Sequence, residues 1–139
     1  MIAALRPQAG TRRIVFSEKN DDLLVNGEAF LLQQAIRNLI QNALDFTPEG
    51  GEIRISTISK GIALQVNIYN DGEAIPDYAL DRLFERFYSL PRPNTGQKST
   101  GLGLALTRTI LELHGGTVRI GNVAGGVEAV IELPLNNIK

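Results

Sequence analysis

The feature that most restricts the fold is a change of hydrophobic period after Gly27. Leu32, Ala35, Ile36, Leu39, Ile40 and Ala43 recur at i, i+3, i+4, i+7, i+8 and i+11. That is one face of an amphipathic helix, and the spacing carries it to about Phe46. Thr47-Pro48-Glu49-Gly50-Gly51 breaks the pattern, and the period then drops to two. Residues 52–59 and 62–69 alternate and are rich in β-branched side chains, and Lys60-Gly61 between them predicts a hairpin. A second helix opens at Gly101-Leu102-Gly103, with Leu102, Ala105, Leu106, Thr109, Ile110 and Leu113 on its apolar face, and Gly115-Gly116 stops it. Residues 117–120 and 127–133 predict a closing hairpin. Residues 12–16 and 23–25 are further short strand candidates, and Asp77 is placed to cap a short helix through Leu83. Helices with one apolar stripe and half-apolar strands bury both surfaces only against each other. The expected fold is therefore α+β, a two-layer sandwich of a mixed, mostly antiparallel sheet on about three helices.

The 139 residues suffice for one domain over 1–139, with its core at about 11–134. There is no cysteine, which excludes disulfides, thiolate metal sites and a cysteine nucleophile. With 14 basic and 15 acidic side chains, bulk charge gives no reason to expect a nucleic-acid partner. No run approaches the roughly 18 apolar residues of a membrane span, and Met1-Ile-Ala-Ala-Leu5 is too short for a signal peptide, so no membrane contact by this domain is expected. Residues 89–100 are mostly polar, with Pro91, Pro93 and Gly96. A stretch of that kind inside a compact domain is expected to be a functional lid or to lack fixed structure.

Four clusters carry chemistry. On the first helix, at about 100° per residue, Asn42 lies roughly 90° and Asn38 roughly 130° from the centre of the buried stripe, on one flank. Asp45 follows at i+7. Such amides can simply be solvated, or they can form a polar site in which an amide oxygen suits Mg²⁺ bridged to phosphates. The second cluster, Asn70-Asp71-Gly72-Glu73-Ala74-Ile75-Pro76, reads as an ordinary turn. It reads equally as a strand-end acceptor for an amino group such as that of adenine, with Gly72 admitting the base. The third is Lys98-Ser99-Thr100-Gly101-Leu102-Gly103-Leu104, a Gly-rich helix start with free N–H groups for an anion. It fits neither the dinucleotide fingerprint nor the Walker pattern. In the fourth, Leu83 to Tyr88, Phe84 and Phe87 read as a hydrophobic plug, while Arg86 can reach a phosphate.

In this order the segments resemble the ATP-binding catalytic domain of sensor histidine kinases, of the Bergerat (GHKL) fold. Asn38-Leu39-x-x-Asn42-Ala43-x-x-Phe46-Thr47-Pro48 is similar to the N box, Asn70 to Pro76 to the first glycine box, Phe84 to Tyr88 to the F box, and Gly101 to Leu104 to the second glycine box. The stretch between the last two corresponds to the ATP lid. Ile75 to Leu80, with Phe84 to Pro91, is similar to carbon-source-responsive (Cre-type) sensor kinases.

The resemblance implies that Asn42 ligates Mg²⁺ and that Asn38 supports the metal or its waters. It puts Arg86 and the amides of Gly101, Leu102, Gly103 and Leu104 on the phosphates of ATP, with Lys98, Ser99 and Thr100 as further donors. Asn70, Gly72, Ala74 and Ile75 surround adenine, and Tyr88 and Leu102 act as hinge and packing residues of the lid. Three positions depart from the pattern. Asn70 replaces the usual adenine-reading Asp, so it accepts without charge assistance and weaker binding is expected. Ala74 replaces a glycine, and Asp45 stands where a Lys or Arg is frequent, with Lys98 or Arg92 as substitutes.

The ATPase relatives within the fold, of the gyrase, mismatch-repair and heat-shock chaperone kind, carry a Glu as general base where this chain has Asn38. An amide takes no proton near neutral pH, so efficient hydrolysis is not expected. A nucleotide-sensing or docking module without phosphotransfer is the other alternative. The single histidine, His114, sits before Gly115-Gly116 and reads as a helix C-terminus instead of a phosphoacceptor. The acceptor histidine is therefore expected on a dimerisation helical hairpin upstream of Met1. A response regulator would be the partner of the full-length kinase, a cytoplasmic domain the setting of this chain, and an inner-membrane sensor the parent.

Overall fold

A computed structural model describes residues 13–16, 30–91 and 100–134. The strand candidate at 23–25 and most of the expected lid lie outside the described residues. The elements in chain order are β1 (Arg13–Phe16), α1 (Phe30–Phe46), β2 (Glu52–Lys60), β3 (Ala63–Asp71), α2 (Asp77–Leu80), α3 (Gly103–Leu113), β4 (Thr117–Val123) and β5 (Gly126–Pro134). The five strands form one sheet in the order β1-β2-β3-β5-β4. Among these strands only the β1–β2 pair is parallel; the other three are antiparallel, as short connections require for two of them, β2–β3 and β4–β5.

The helical stripe folds as its spacing demands. Leu32, Ala35, Ile36, Leu39, Ile40, Ala43 and Leu44 are buried on α1. They meet the inward residues of the sheet, which alternate as a pleat dictates: Ile53 and Ile55 on β2, Leu64, Val66 and Ile68 on β3, Ala129, Ile131 and Leu133 on β5. Each fully buried aliphatic chain here contributes about 1.5–3 kcal/mol. The helix ends at Phe46, and the buried hydroxyl of the next residue, Thr47, donates to the Ala43 carbonyl at 2.6 Å and satisfies one of the last acceptors of α1.

Two expectations need correction. Asp77 does not cap: Pro76 occupies the N-cap position, no side chain caps the helix, and α2 stops at Leu80 instead of Leu83. A single turn followed by turns and a bend through residue 87 suffices to bury Ala79 and Leu83.

The apolar face of α3 is also only partly the expected one, sharing Ile110 with it. It buries Thr107, Ile110 and Leu111, with Leu104 partly buried, and packs on α1. Leu102, Leu106 and Leu113 are 42%, 52% and 75% exposed. A buried threonine displaced the stripe from its apparent place. The Thr107 hydroxyl donates to the Gly103 carbonyl at 2.9 Å and stands 3.5 Å from the Ala35 carbonyl, so the polar group enters the core satisfied.

Candidate functional site: a cavity between helix flank and sheet end

A cavity of about 540 Å³ opens beside the α1 flank, within the size range of small-molecule sites. Asn38, Asn42 and Asp45 of α1 line it, as do Asn70 at the end of β3, Gly72, Ala74 and Ile75 in the loop after it, and Tyr88, Thr100, Gly101, Gly103 and Leu104 around α3. The helical spacing that put both amides on one flank therefore puts them on one wall. Among the described residues no hydrogen bond engages the side chain of Asn38 or Asn42. Asp45 accepts a hydrogen bond from Gln41 Nε2 at 3.1 Å.

β3 runs two residues further than its alternation indicates, so Asn70 and Asp71 belong to the strand and point to opposite faces. Asn70, 5% exposed, faces the cavity, and its Nδ2 donates to the Asp71 carbonyl at 3.0 Å. That bond leaves Oδ1 as the free end of the amide, an acceptor. Asp71 turns away: its Oδ2 accepts the Glu52 N–H at 2.8 Å and its Oδ1 accepts the Tyr69 hydroxyl at 2.7 Å. The same contact with Asp71, reinforced by burial, holds the Tyr69 phenol above its ordinary pKa of 10.0, while the guanidinium of Arg54 over the ring opposes the shift. Gly72 fits close to α1, where a Cβ would lie 2.9 Å from the Phe46 carbonyl oxygen.

The far wall depends on a backbone clamp. Phe87 N–H donates to the Gly101 carbonyl at 2.9 Å, which pins together the two ends of the segment between them. Gly101 has φ +76°, and Phe87 carries φ 68°, uncommon for a bulky residue. Beyond the clamp α3 begins at Gly103 with Leu102 as N-cap and no side-chain cap, so its first N–H groups are open to an anion.

Not every expected residue reaches the cavity. Leu102 is exposed and is not on its wall, and Lys98 and Ser99 lie outside the described residues. Arg86 is exposed and also off the wall. Phe87 is no plug, being 77% exposed, whereas Phe84 is half-buried. His114 is the C-cap of α3, with Nδ1 2.8 Å from the Ile110 carbonyl. Sequence reasoning missed Ile120 and Val127, which close the cavity from the sheet, and Tyr78 and Leu83 near α2. Their alternating or helical spacing marked them as packing residues and carried no signal of a cavity.

The donor set suits Mg²⁺ shared with phosphates. Amide oxygens are hard ligands, and among the described residues no group of three His, Cys, Asp or Glu forms a cage of its own.

The family HATPase_c, described as histidine kinase-, DNA gyrase B-, and HSP90-like ATPase, matches residues 27–137. The chain belongs to this family. It is a HATPase_c domain of the histidine-kinase type, a class of ATP-binding domain, and its relatives decide the branch. It is 45% identical over 127 residues to the sensor protein CreC of Escherichia coli strain K12, covering 91% of this chain and 27% of that protein, in keeping with the Cre-type resemblance. It is 36% identical over 122 residues to sporulation kinase B of Bacillus subtilis strain 168, covering 86% of this chain and 27% of that one. Among solved structures it resembles the nucleotide-free catalytic domain of histidine kinase ThkA, with a TM-score of 0.73 and 26% identity over 98% of this chain and 87% of that one. A complex of ThkA with the response regulator TrrA matches with a TM-score of 0.71 and 27% identity, covering 99% of this chain and 38% of the ThkA chain. The chain thus spans about a quarter of the length of these curated relatives. No helix among the described residues is long and apolar enough to cross a membrane.

Proposed function

We propose that the domain binds Mg-ATP in this cavity and donates the γ-phosphoryl group to a histidine on the dimerisation domain of the same kinase. The observation that carries the reading is that one cavity unites the Asn38/Asn42 flank, the Asn70 strand end and the uncapped start of α3. In this reading Asn70 Oδ1 accepts from the 6-amino group of adenine, and Gly72, Ala74 and Ile75 flank the base. Asn42, supported by Asn38, would hold Mg²⁺, which when bound neutralises phosphate charge. The N–H groups of Gly103 and Leu104, with Thr100, hold the phosphates; Lys98 and Ser99 add donors from the lid.

Transfer then needs positioning more than acid–base chemistry. An imidazole nitrogen of the acceptor forms a bond to the γ-phosphorus as the bond to the bridging oxygen of ADP breaks. Asn38 activates no water, which protects ATP until the acceptor arrives. Arg86, exposed outside the wall, is assigned to the developing charge at transfer and not to resting affinity. Leu102, Leu106, Leu113 and Phe87 offer apolar surface for the acceptor domain. The full-length kinase, an inner-membrane sensor with this domain in the cytoplasm, would pass the phosphoryl group to a response regulator, as the ThkA–TrrA complex suggests by analogy.

The test is transfer in trans. The chain is mixed with γ-labelled ATP, Mg²⁺ and a separately produced dimerisation hairpin from the parent kinase. The expected product is an acid-labile, alkali-stable label on the hairpin. A chain that binds ATP but never labels the hairpin contradicts the kinase reading and leaves a nucleotide-binding module.

A further inference from the structure

We propose that Asn122, on β4, is a positioning residue for the base-binding side of the cavity, acting through the backbone of Ile75. This rests on the ATP-binding reading above. The Asn122 side chain makes a two-point contact across 47 residues of sequence. Its Oδ1 accepts the Ile75 N–H at 2.8 Å, and its Nδ2 donates to the Ile75 carbonyl at 2.9 Å. A primary amide that meets both groups of one residue reproduces the pairing of a neighbouring strand. Ile75 is thereby added to the edge of the sheet although residues 72–76 belong to no strand.

The contact sits where it can tune the cavity. Ile75 and its neighbours Ala74 and Pro76 line the wall, while Asn122 is exposed and off it. Within the same hairpin, the Gly125 carbonyl lies 3.5 Å from the Gly72 N–H. The β4–β5 hairpin therefore holds the loop at both ends, more firmly at Ile75. A loop of five residues that contains Gly72 has many alternative shapes, and the amide contact selects the one whose wall a flat base can meet. Because the contact is to backbone, the identity of residue 75 can vary without loss of the position.

The experiment compares the native chain with Asn122→Ala and Asn122→Asp. Binding of Mg-ATP and of Mg-tripolyphosphate is measured by calorimetry, together with hydrogen exchange at the Ile75 amide. Alanine removes both bonds, so ATP affinity should fall about fivefold, the equivalent of about 1 kcal/mol, with tripolyphosphate affinity unchanged and Ile75 exchange faster. Asp keeps the acceptor but loses the donor, so Ile75 should stay partly protected and affinity should be intermediate. Equal losses for ATP and tripolyphosphate would indicate general destabilisation and overturn the proposal. Unchanged ATP affinity in Asn122→Ala, with native binding intact, overturns it as well and leaves the ATP-binding reading standing. Absence of ATP binding by the native chain overturns that reading, and this role of Asn122 with it.

Discussion

Gly101→Ala tests whether backbone geometry, and not glycine content, shapes the phosphate side of the cavity. A Cβ on Gly101 would lie 2.5 Å from the Phe87 carbonyl carbon, 2.6 Å from Phe87 Cα and 2.7 Å from the Tyr88 nitrogen. All three are backbone atoms, so no rotamer change relieves the overlap. The residue also sits at φ +76°, where an L-side chain costs about 1–2 kcal/mol. A chain that escapes the overlap gives up the Phe87–Gly101 hydrogen bond, about 1 kcal/mol more. The sum, about 2–3 kcal/mol, falls on the junction of Phe87 with Gly101, which sets the cavity wall at Tyr88, Thr100 and Gly101. At 1.4 kcal/mol per factor of ten, ATP affinity should drop roughly 30- to 150-fold. Calorimetric titration gives the affinity, and urea unfolding of the same sample shows whether the core survives. Gly103→Ala is the control: nothing lies within 4 Å of its Cβ position, so its stability should stay within about 0.5 kcal/mol of native. ATP affinity of Gly101→Ala within threefold of native would refute the clamp.

Three other outcomes follow from the packing and the site. Leu111→Ala should cost about 2–4 kcal/mol in urea unfolding and Leu106→Ser less than about 0.5, and the reverse ranking would restore the face of α3 expected from its spacing. Asn42→Ala should abolish the part of ATP affinity that depends on Mg²⁺, seen by titrating with and without the metal; an unchanged Mg²⁺ dependence removes Asn42 as ligand. Tyr69 has a raised pKa when folded, so its neutral form is favoured in the native state, and its contribution is complete below the unfolded value of 10.0. That stability is lost as pH rises from about 10 through the folded pKa. Urea unfolding between pH 8 and 11 should therefore show a decline that Tyr69→Phe flattens, and an equal decline in both would exclude Tyr69 as its source.

The fold was legible wherever one periodicity had no rival. The α1 stripe and the two hairpins stand where spacing predicts, to within two residues at their ends except for β4, which runs three residues further, to Val123. The face of α3 was not legible, because Leu102, Leu106, Thr109 and Leu113 recur as regularly as the residues that are buried. Periodicity tells which residues share a face, and it does not tell which face meets the core when a satisfied threonine can enter it. That Asn38, Asn42 and Asp45 share one cavity wall was readable because a helix fixes angles between side chains. The Asn122–Ile75 contact had no local signature, since it joins segments 47 residues apart through backbone atoms. Arg86 shows the opposite limit: its chemistry suited a phosphate, but its position is exposed and away from the wall.

The central claim is that the cavity is built for a magnesium nucleotide. The direct measurement is calorimetric titration of the native chain with ATP, with Mg²⁺ present and then chelated. The account predicts saturable binding, weakened by the uncharged Asn70 yet complete below millimolar ATP, and substantially weaker without Mg²⁺. No heat of binding at millimolar Mg-ATP, from a chain shown to be folded by cooperative unfolding, would contradict it.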